Sequence, residues 1–163
     1  MQEQLLLPTG ALRIESLATS DSKFLTVNFS EAEGTTVLVH DQVGIPEQPH
    51  PYQEWSFEYN SDSYPGYLIK PSSPHNFVLD IRASVLGDSS SVIQFNRKNR
   101  GFANQIWMFL PIGDATYLIA TALDPKFGLD VQGDGTIKIR ELSGSASQRF
   151  RLVDVANRKT EPE

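Results

Sequence analysis

The side chains of this chain that could do chemistry are amides, carboxylates and aromatic rings, and little else. Cysteine is absent, which removes thiolate nucleophiles, disulfides and Cys-based zinc sites. His40, His50 and His75 give a histidine-based metal site little support, so no metal and no cofactor is expected. No Gly-x-Ser-x-Gly, His-Glu-x-x-His, phosphate loop or dinucleotide fingerprint is present. Two small patterns recur instead. Gln-x-aromatic occurs as Gln53-Glu54-Trp55, Gln105-Ile106-Trp107 and Gln148-Arg149-Phe150. An aromatic followed by leucine and a β-branched residue occurs as Phe24-Leu25-Thr26-Val27, Phe77-Val78-Leu79-Asp80-Ile81 and Phe127-Gly128-Leu129-Asp130-Val131. Amides donate and accept, and carboxylates accept. Such groups suit binding better than bond breaking, and an enzyme is not expected.

The elements that position these groups must come from one domain, since the chain has 163 residues. With 39% hydrophobic and 21% charged residues it can bury a core. A net charge of -6 argues against a nucleic-acid or anionic-membrane partner. No apolar run nears the roughly 20 residues of a membrane span, so no membrane insertion is expected. Leu5-Leu6-Leu7 is too short for a signal segment, which predicts a cytoplasmic protein or one released without a classical signal peptide. The sequon Asn28-Phe29-Ser30 then carries no glycan. A single domain is expected over 1–156, with a frayed tail over 157–163.

Helical periodicity is missing. About twelve strand-length stretches rich in β-branched and aromatic residues alternate with turn formers such as Glu33-Gly34 and Gly133-Asp134-Gly135. The fold class is therefore all-β. Self-comparison narrows it further. The glutamines are spaced by 52 and 43 residues and the leucines at 25, 79 and 129 by 54 and 50. A third landmark opens each unit: Leu12-Arg13-Ile14, Tyr67-Leu68-Ile69 and Tyr117-Leu118-Ile119. Three landmarks in one order, three times over, predict three repeats over about 10–60, 64–112 and 114–155. One such unit cannot bury its own apolar face, but three around an axis can. That is a β-trefoil, with the aromatic of each Gln-x-aromatic in the core and its glutamine satisfying buried backbone groups.

The Leu-Asp-Ile and Leu-Asp-Val steps, followed by Asn104-Gln105-Ile106-Trp107, resemble the ricin B-chain type of lectin over roughly Gly10 to Val155. The resemblance implies up to one shallow sugar pocket per repeat, commonly for galactose or N-acetylgalactosamine. It also implies the makers of a pocket: the Leu-Asp aspartate, an aromatic about fifteen residues later, and the Asn-Gln before Trp. A carboxylate accepts from neighbouring ring hydroxyls, and a ring covers the sugar's C–H patch. The second repeat matches best, with Asp80, Phe95 fifteen residues on, then Asn104 and Gln105. It departs in having Phe95 for the usual Trp and Ile93 where a glutamine belongs. Gln94 is adjacent, but neighbours on a strand face opposite sides.

The third repeat keeps Asp130 but has Lys138, Ile139 and Arg140 where the ring should lie, and Ser147 for the asparagine. Weak binding or none is expected there. The first has Thr26 for the aspartate and Tyr52 before Gln53, which makes it structural. Between Phe95 and Asn104, the stretch Asn96-Arg97-Lys98-Asn99-Arg100-Gly101 reads as a solvated loop. A further hypothesis is that it steers an acidic glycan. Asp41 to Pro51 reads as a stiff extra loop.

The expected function is a non-catalytic lectin with glycans or glycoproteins as partners. Shallow pockets bind weakly, so a homo-oligomer or a place in a larger toxin complex is expected. Freedom from cysteine resembles the microbial and fungal lectins of the family. The alternative is a β-trefoil protease inhibitor or docking subunit, working through the Arg97–Arg100 or Asp41–Pro51 loop.

Overall fold

The computed structural model describes residues 7–8, 10–43, 50–61, 64–98 and 102–154. Outside them lie the expected tail over 157–163, most of the Asp41–Pro51 loop, and Asn99 to Gly101. Twelve strands follow one another: β1 (Leu12–Ser16), β2 (Lys23–Val27), β3 (Val37–Asp41), β4 (Trp55–Asn60), β5 (Gly66–Pro71) and β6 (Phe77–Ile81). They continue with β7 (Val92–Asn96), β8 (Trp107–Pro111), β9 (Thr116–Thr121), β10 (Asp124–Val131), β11 (Ile137–Glu141) and β12 (Phe150–Asp154). The only helical pieces among the described residues are three 3-10 turns of three residues each.

Pairing closes the chain on itself. β1 pairs β12 and β4, β4 pairs β5, β5 pairs β8, β8 pairs β9, and β9 pairs β12, a ring of six strands with no open edge. The hairpins β2–β3 and β10–β11 extend from the ring through the pairs β1–β2 and β9–β10, while β6–β7 forms a two-stranded sheet of its own. The three hairpins touch each other through the bridges Thr36–Ile93, Gly87–Ile139 and Leu38–Thr136, one for each pair of hairpins. Six barrel strands capped by three hairpins make a β-trefoil.

The sequence landmarks become core layers. Ile14, Ile69 and Ile119 are fully buried, as are Leu25, Leu79 and Leu129, and so are Trp55, Trp107 and Phe150. Each layer takes one residue from each lobe, which explains why the patterns recur at near-constant spacing. The two tryptophans bury a donor as well as a ring, and each donor is satisfied. Trp55 Nε1 donates to Leu25 O (3.0 Å) and Trp107 Nε1 to Leu79 O (3.1 Å), tying the barrel to the hairpin of the same lobe.

Candidate functional site

Each glutamine before the core aromatic makes the same set of bonds. Gln105 Nε2 donates to Asp80 Oδ2 (2.8 Å) and Asn96 O (2.9 Å), while its Oε1 accepts from Lys98 N (3.1 Å). In the first lobe Gln53 binds Thr26 Oγ1, Asp41 O and Val43 N; in the third, Gln148 binds Asp130 Oδ2, Glu141 O and Ser143 N. All three glutamines are buried. This common frame aligns the lobes residue by residue. Thr26, Asp80 and Asp130 correspond; so do His40, Phe95 and Arg140; and so do Tyr52, Asn104 and Ser147.

In the second lobe the frame opens onto a cleft of about 430 Å³. Asp80, Ile93 and Phe95 share one face of the β6–β7 hairpin, because Asp80 pairs with Ile93 and Phe95 with Val78. Gln94 pairs with Leu79 on the other face, where it is buried and donates to Ser30 O (3.2 Å) and Ala32 O (2.8 Å). It therefore takes no part in the cleft. The 3-10 turn Ala103–Gln105 brings Asn104 against the same face. Asn104 Nδ2 donates to Asp80 Oδ1 (3.3 Å) and to Ile81 O (3.2 Å).

Asp80, Phe95 and Asn104, far apart in sequence, thus line one cleft, and Phe95 is only partly buried. Gln105, which the resemblance counts among the sugar contacts, is 0% exposed and spends its amide on Asp80, Asn96 and Lys98. Its part is to hold Asp80 rather than to face the cleft. Asp80 is 3% exposed, and burial pushes its carboxyl above the ordinary value, opposed by Gln105, Lys98 and Asn104. The β6–β7 turn closes the rim with Ala83 and Ser84 in left-handed backbone (φ 53° and 58°), conformations that non-glycine residues rarely adopt.

Three further residues line the cleft: Lys98, which the sequence placed in the basic stretch that could steer an acidic glycan, and Phe102 and Arg82, which the sequence reading did not single out. Phe102 is a second ring, 50% exposed. Lys98 places its Nζ 5.2 Å from the centroids of both Phe95 and Phe102. Arg82 stands exposed on the rim. The third repeat's candidate, Asp130, is partly buried, and its carboxylate receives Gln148 Nε2 and Gln132 Nε2. At the ring position Arg140 pairs with Asp88 (3.0 Å). In the first lobe Phe29 packs edge-on against His40, His50 and Tyr52, with centroids 5.1, 6.4 and 5.9 Å away. Phe29 corresponds to Ala83 and shares its left-handed backbone (φ 52°). The space that is a cleft in lobe two is thus packed with rings in lobe one. Aligning the repeats position by position beyond their landmarks would have revealed this cluster.

Another cleft of about 430 Å³ lies between the first and third lobes. Its charges are already matched: Lys23 binds Asp41 (2.8 Å), and Asp134 accepts from Thr136 N and Oγ1. No aspartate–asparagine pair with a ring lines it. Among the described residues, no group of three or more His, Asp or Glu could hold a metal ion, and no helix is long and apolar enough to cross a membrane.

No family model matches the sequence, and no curated protein matches it significantly. Solved structures do. The chain is similar to the designed 3-fold symmetric protein ThreeFoil, with 24% identity over 88% of this chain and 98% of that one, at a TM-score of 0.72. It is similar to the Macrolepiota procera ricin B-like lectin, solved with lactose, at 10% identity over 92% and 99% of the two chains and a TM-score of 0.68. It also matches an exo-β-1,3-galactanase from Clostridium thermocellum, with 22% identity over 93% of this chain but only 31% of that one, at a TM-score of 0.71. These likenesses establish the fold, a β-trefoil.

Proposed function

We propose that the protein is a non-catalytic lectin that holds a galactose- or N-acetylgalactosamine-type sugar in the cleft of its second lobe. The observation that carries this reading is the convergence of Asp80, Asn104 and a solvent-reaching ring in one cleft, in one lobe of three. A carboxylate has about four acceptor positions. Two are filled by Gln105 and Asn104, which leaves two for adjacent sugar hydroxyls. Asn104 spends its amide hydrogens on Asp80 and Ile81 and keeps Oδ1 as a further acceptor. Phe95 and Phe102 supply apolar faces for the sugar's C–H patch. Lactose in a lectin of the same fold and the galactan substrate of a trefoil-bearing enzyme support the choice of sugar.

The cleft is shallow and its polar contacts few, so one site binds weakly and useful avidity needs several copies, by self-association or within a larger assembly. The inhibitor reading loses one of its loop's bases, since Arg97 is held by Glu58 through both guanidinium nitrogens. A glycan array with the wild type and Asn104→Ala tests the proposal. Galactose-type glycans should bind the wild type and lose at least about tenfold in signal with the variant, a deficit of one or two hydrogen bonds. Equal binding by both proteins, with the variant still folded, would move the site elsewhere.

A further inference from the structure

The cleft carries a charge that neutral sugar recognition does not need. Two cations line it, Lys98 and Arg82, against one carboxylate, Asp80, in a chain whose net charge is -6. That carboxylate is buried and already receives two amides. Neither cation forms a salt bridge among the described residues, although Lys98 lies near enough to Asp80 to favour its charged form. Glu33, beside the lining residue Gly34, is turned to the Asn96 N–H (3.2 Å). Lys98 Nζ lies over two aromatic faces, at 5.2 Å from each centroid. Ring faces hold an ammonium in place but do not neutralise it.

The neighbouring base shows the contrast, because Arg97 is neutralised by Glu58, whose own carboxyl it holds below the usual range. The other lobes show it too. The common frame puts Val43 and Ser143 where Lys98 stands, and Asn28 and Gln132 where Arg82 stands. Unpaired positive charge therefore occurs in the one lobe whose cleft combines aspartate, asparagine and ring.

Resting on the lectin reading, we infer that the ligand is an acidic glycan: a galactose-type sugar bearing an anionic group, carboxylate or sulfate. The sugar ring takes Asp80 and Asn104, and the anionic group takes the Lys98 ammonium, with Arg82 as its second pole. Charge-assisted bonds of this kind set selectivity between otherwise similar ligands.

The test uses the full chain and three polymer-borne probes: lactose, 3′-sulfolactose and 3′-sialyllactose. Wild type should prefer at least one acidic probe over lactose by about fivefold, the yield of a partly exposed ion pair. The probe preferred tells sulfate from carboxylate. Raising the salt should shrink that preference. Lys98→Gln should lose the preference for the acidic probes over lactose, while Asp80→Thr should lose all three probes. Equal binding of neutral and acidic probes by the wild type, or an undiminished preference in Lys98→Gln, would overturn the inference and leave the lectin reading standing. Failure of every probe to bind the wild type would overturn both.

Discussion

Replacing Asp80 by threonine should abolish sugar binding and leave the fold nearly untouched. The first lobe already contains this arrangement: Thr26 is fully buried, accepts from Gln53 Nε2 at 3.0 Å and donates to Phe24 O at 2.7 Å. With Asp80→Thr, Gln105 keeps an acceptor, and the new hydroxyl can donate to the Val78 carbonyl, the counterpart of Phe24. What is lost is the long bond from Asn104 (3.3 Å), whose amide keeps Ile81 O. A bond to a carboxylate contributes about 1.5–3 kcal/mol at good geometry, and at this length no more than about the lower figure. Removing a carboxylate whose burial raises its pKa offsets part of that loss. The net change should stay within about 1 kcal/mol, or about 2–4 °C in Tm for a domain of this size.

Binding should respond very differently. Two sugar hydroxyls donating to a charged acceptor contribute about 1.5–3 kcal/mol each. Their loss, about 3 kcal/mol at the least, weakens Kd by about a hundredfold. Thermal unfolding followed by circular dichroism, with calorimetric titration of lactose, reads both quantities. Binding within about threefold of the wild type would refute the carboxylate's role. A Tm loss beyond about 10 °C would refute the equivalence of the two lobes. The reciprocal Thr26→Asp should gain no binding, because Phe29, His40 and Tyr52 fill the space a sugar would need.

Acidification should weaken sugar binding at a higher pH than an ordinary aspartate, with its value of 3.8, would allow, because burial raises the Asp80 carboxyl. Binding that stays constant down to pH 3.8 would contradict this. Stability runs the other way for this group. The fold takes up the proton before the unfolded chain does, so acid relieves the penalty of burying Asp80. Glu58 opposes it: Arg97 lowers its carboxyl from the ordinary 4.5, so its contribution is present above that value and lost as pH falls through the lowered one. Since Glu58 is 41% exposed, screening holds that loss to about 1 kcal/mol or less, measurable as the difference in acid unfolding between wild type and Glu58→Gln. Gln105→Leu should cost far more, roughly 3 kcal/mol, because Asp80, Asn96 O and Lys98 N lose a buried partner together. A Tm within 2 °C of the wild type would show that the frame does not hold the lobe.

The fold was legible because its signal is repeated and lies in the core. A closed threefold barrel must place like side chains at like heights, so Leu25, Leu79 and Leu129 had to recur, and the tryptophans and glutamines with them. Asp80 and Asn104 were legible for a related reason: each sits one step from a landmark, Asp80 on the face of β6 that strand alternation turns from Leu79, and Asn104 beside Gln105 in the 3-10 turn. The basic stretch with Lys98 was visible beside the pocket, but Phe102 and Arg82 lie outside the strands, where no period constrains side-chain direction. Gln94 was placed on the far face by alternation alone. That it braces the 30–34 turn of another lobe was not visible, because its partners are backbone carbonyls some sixty residues away.

The three lobes separate two demands that a binding site usually mixes. Each glutamine binds a side chain, a carbonyl and an N–H of its own lobe, whatever stands at the neighbouring positions. The frame asks only for an acceptor at Thr26, Asp80 or Asp130, and a hydroxyl satisfies it as well as a carboxylate. A charge at Asp80 is therefore more than folding requires, and burying it works against the fold. Asp130 carries less of that burden, being partly exposed and supported by Gln132 as well as Gln148. The second lobe alone keeps a buried carboxylate beside an asparagine and an open ring, although its first neighbour manages with threonine. A costly group retained where a cheaper one would serve points to a ligand, and the cost itself can be measured: Asp80→Thr should lose binding without losing the fold.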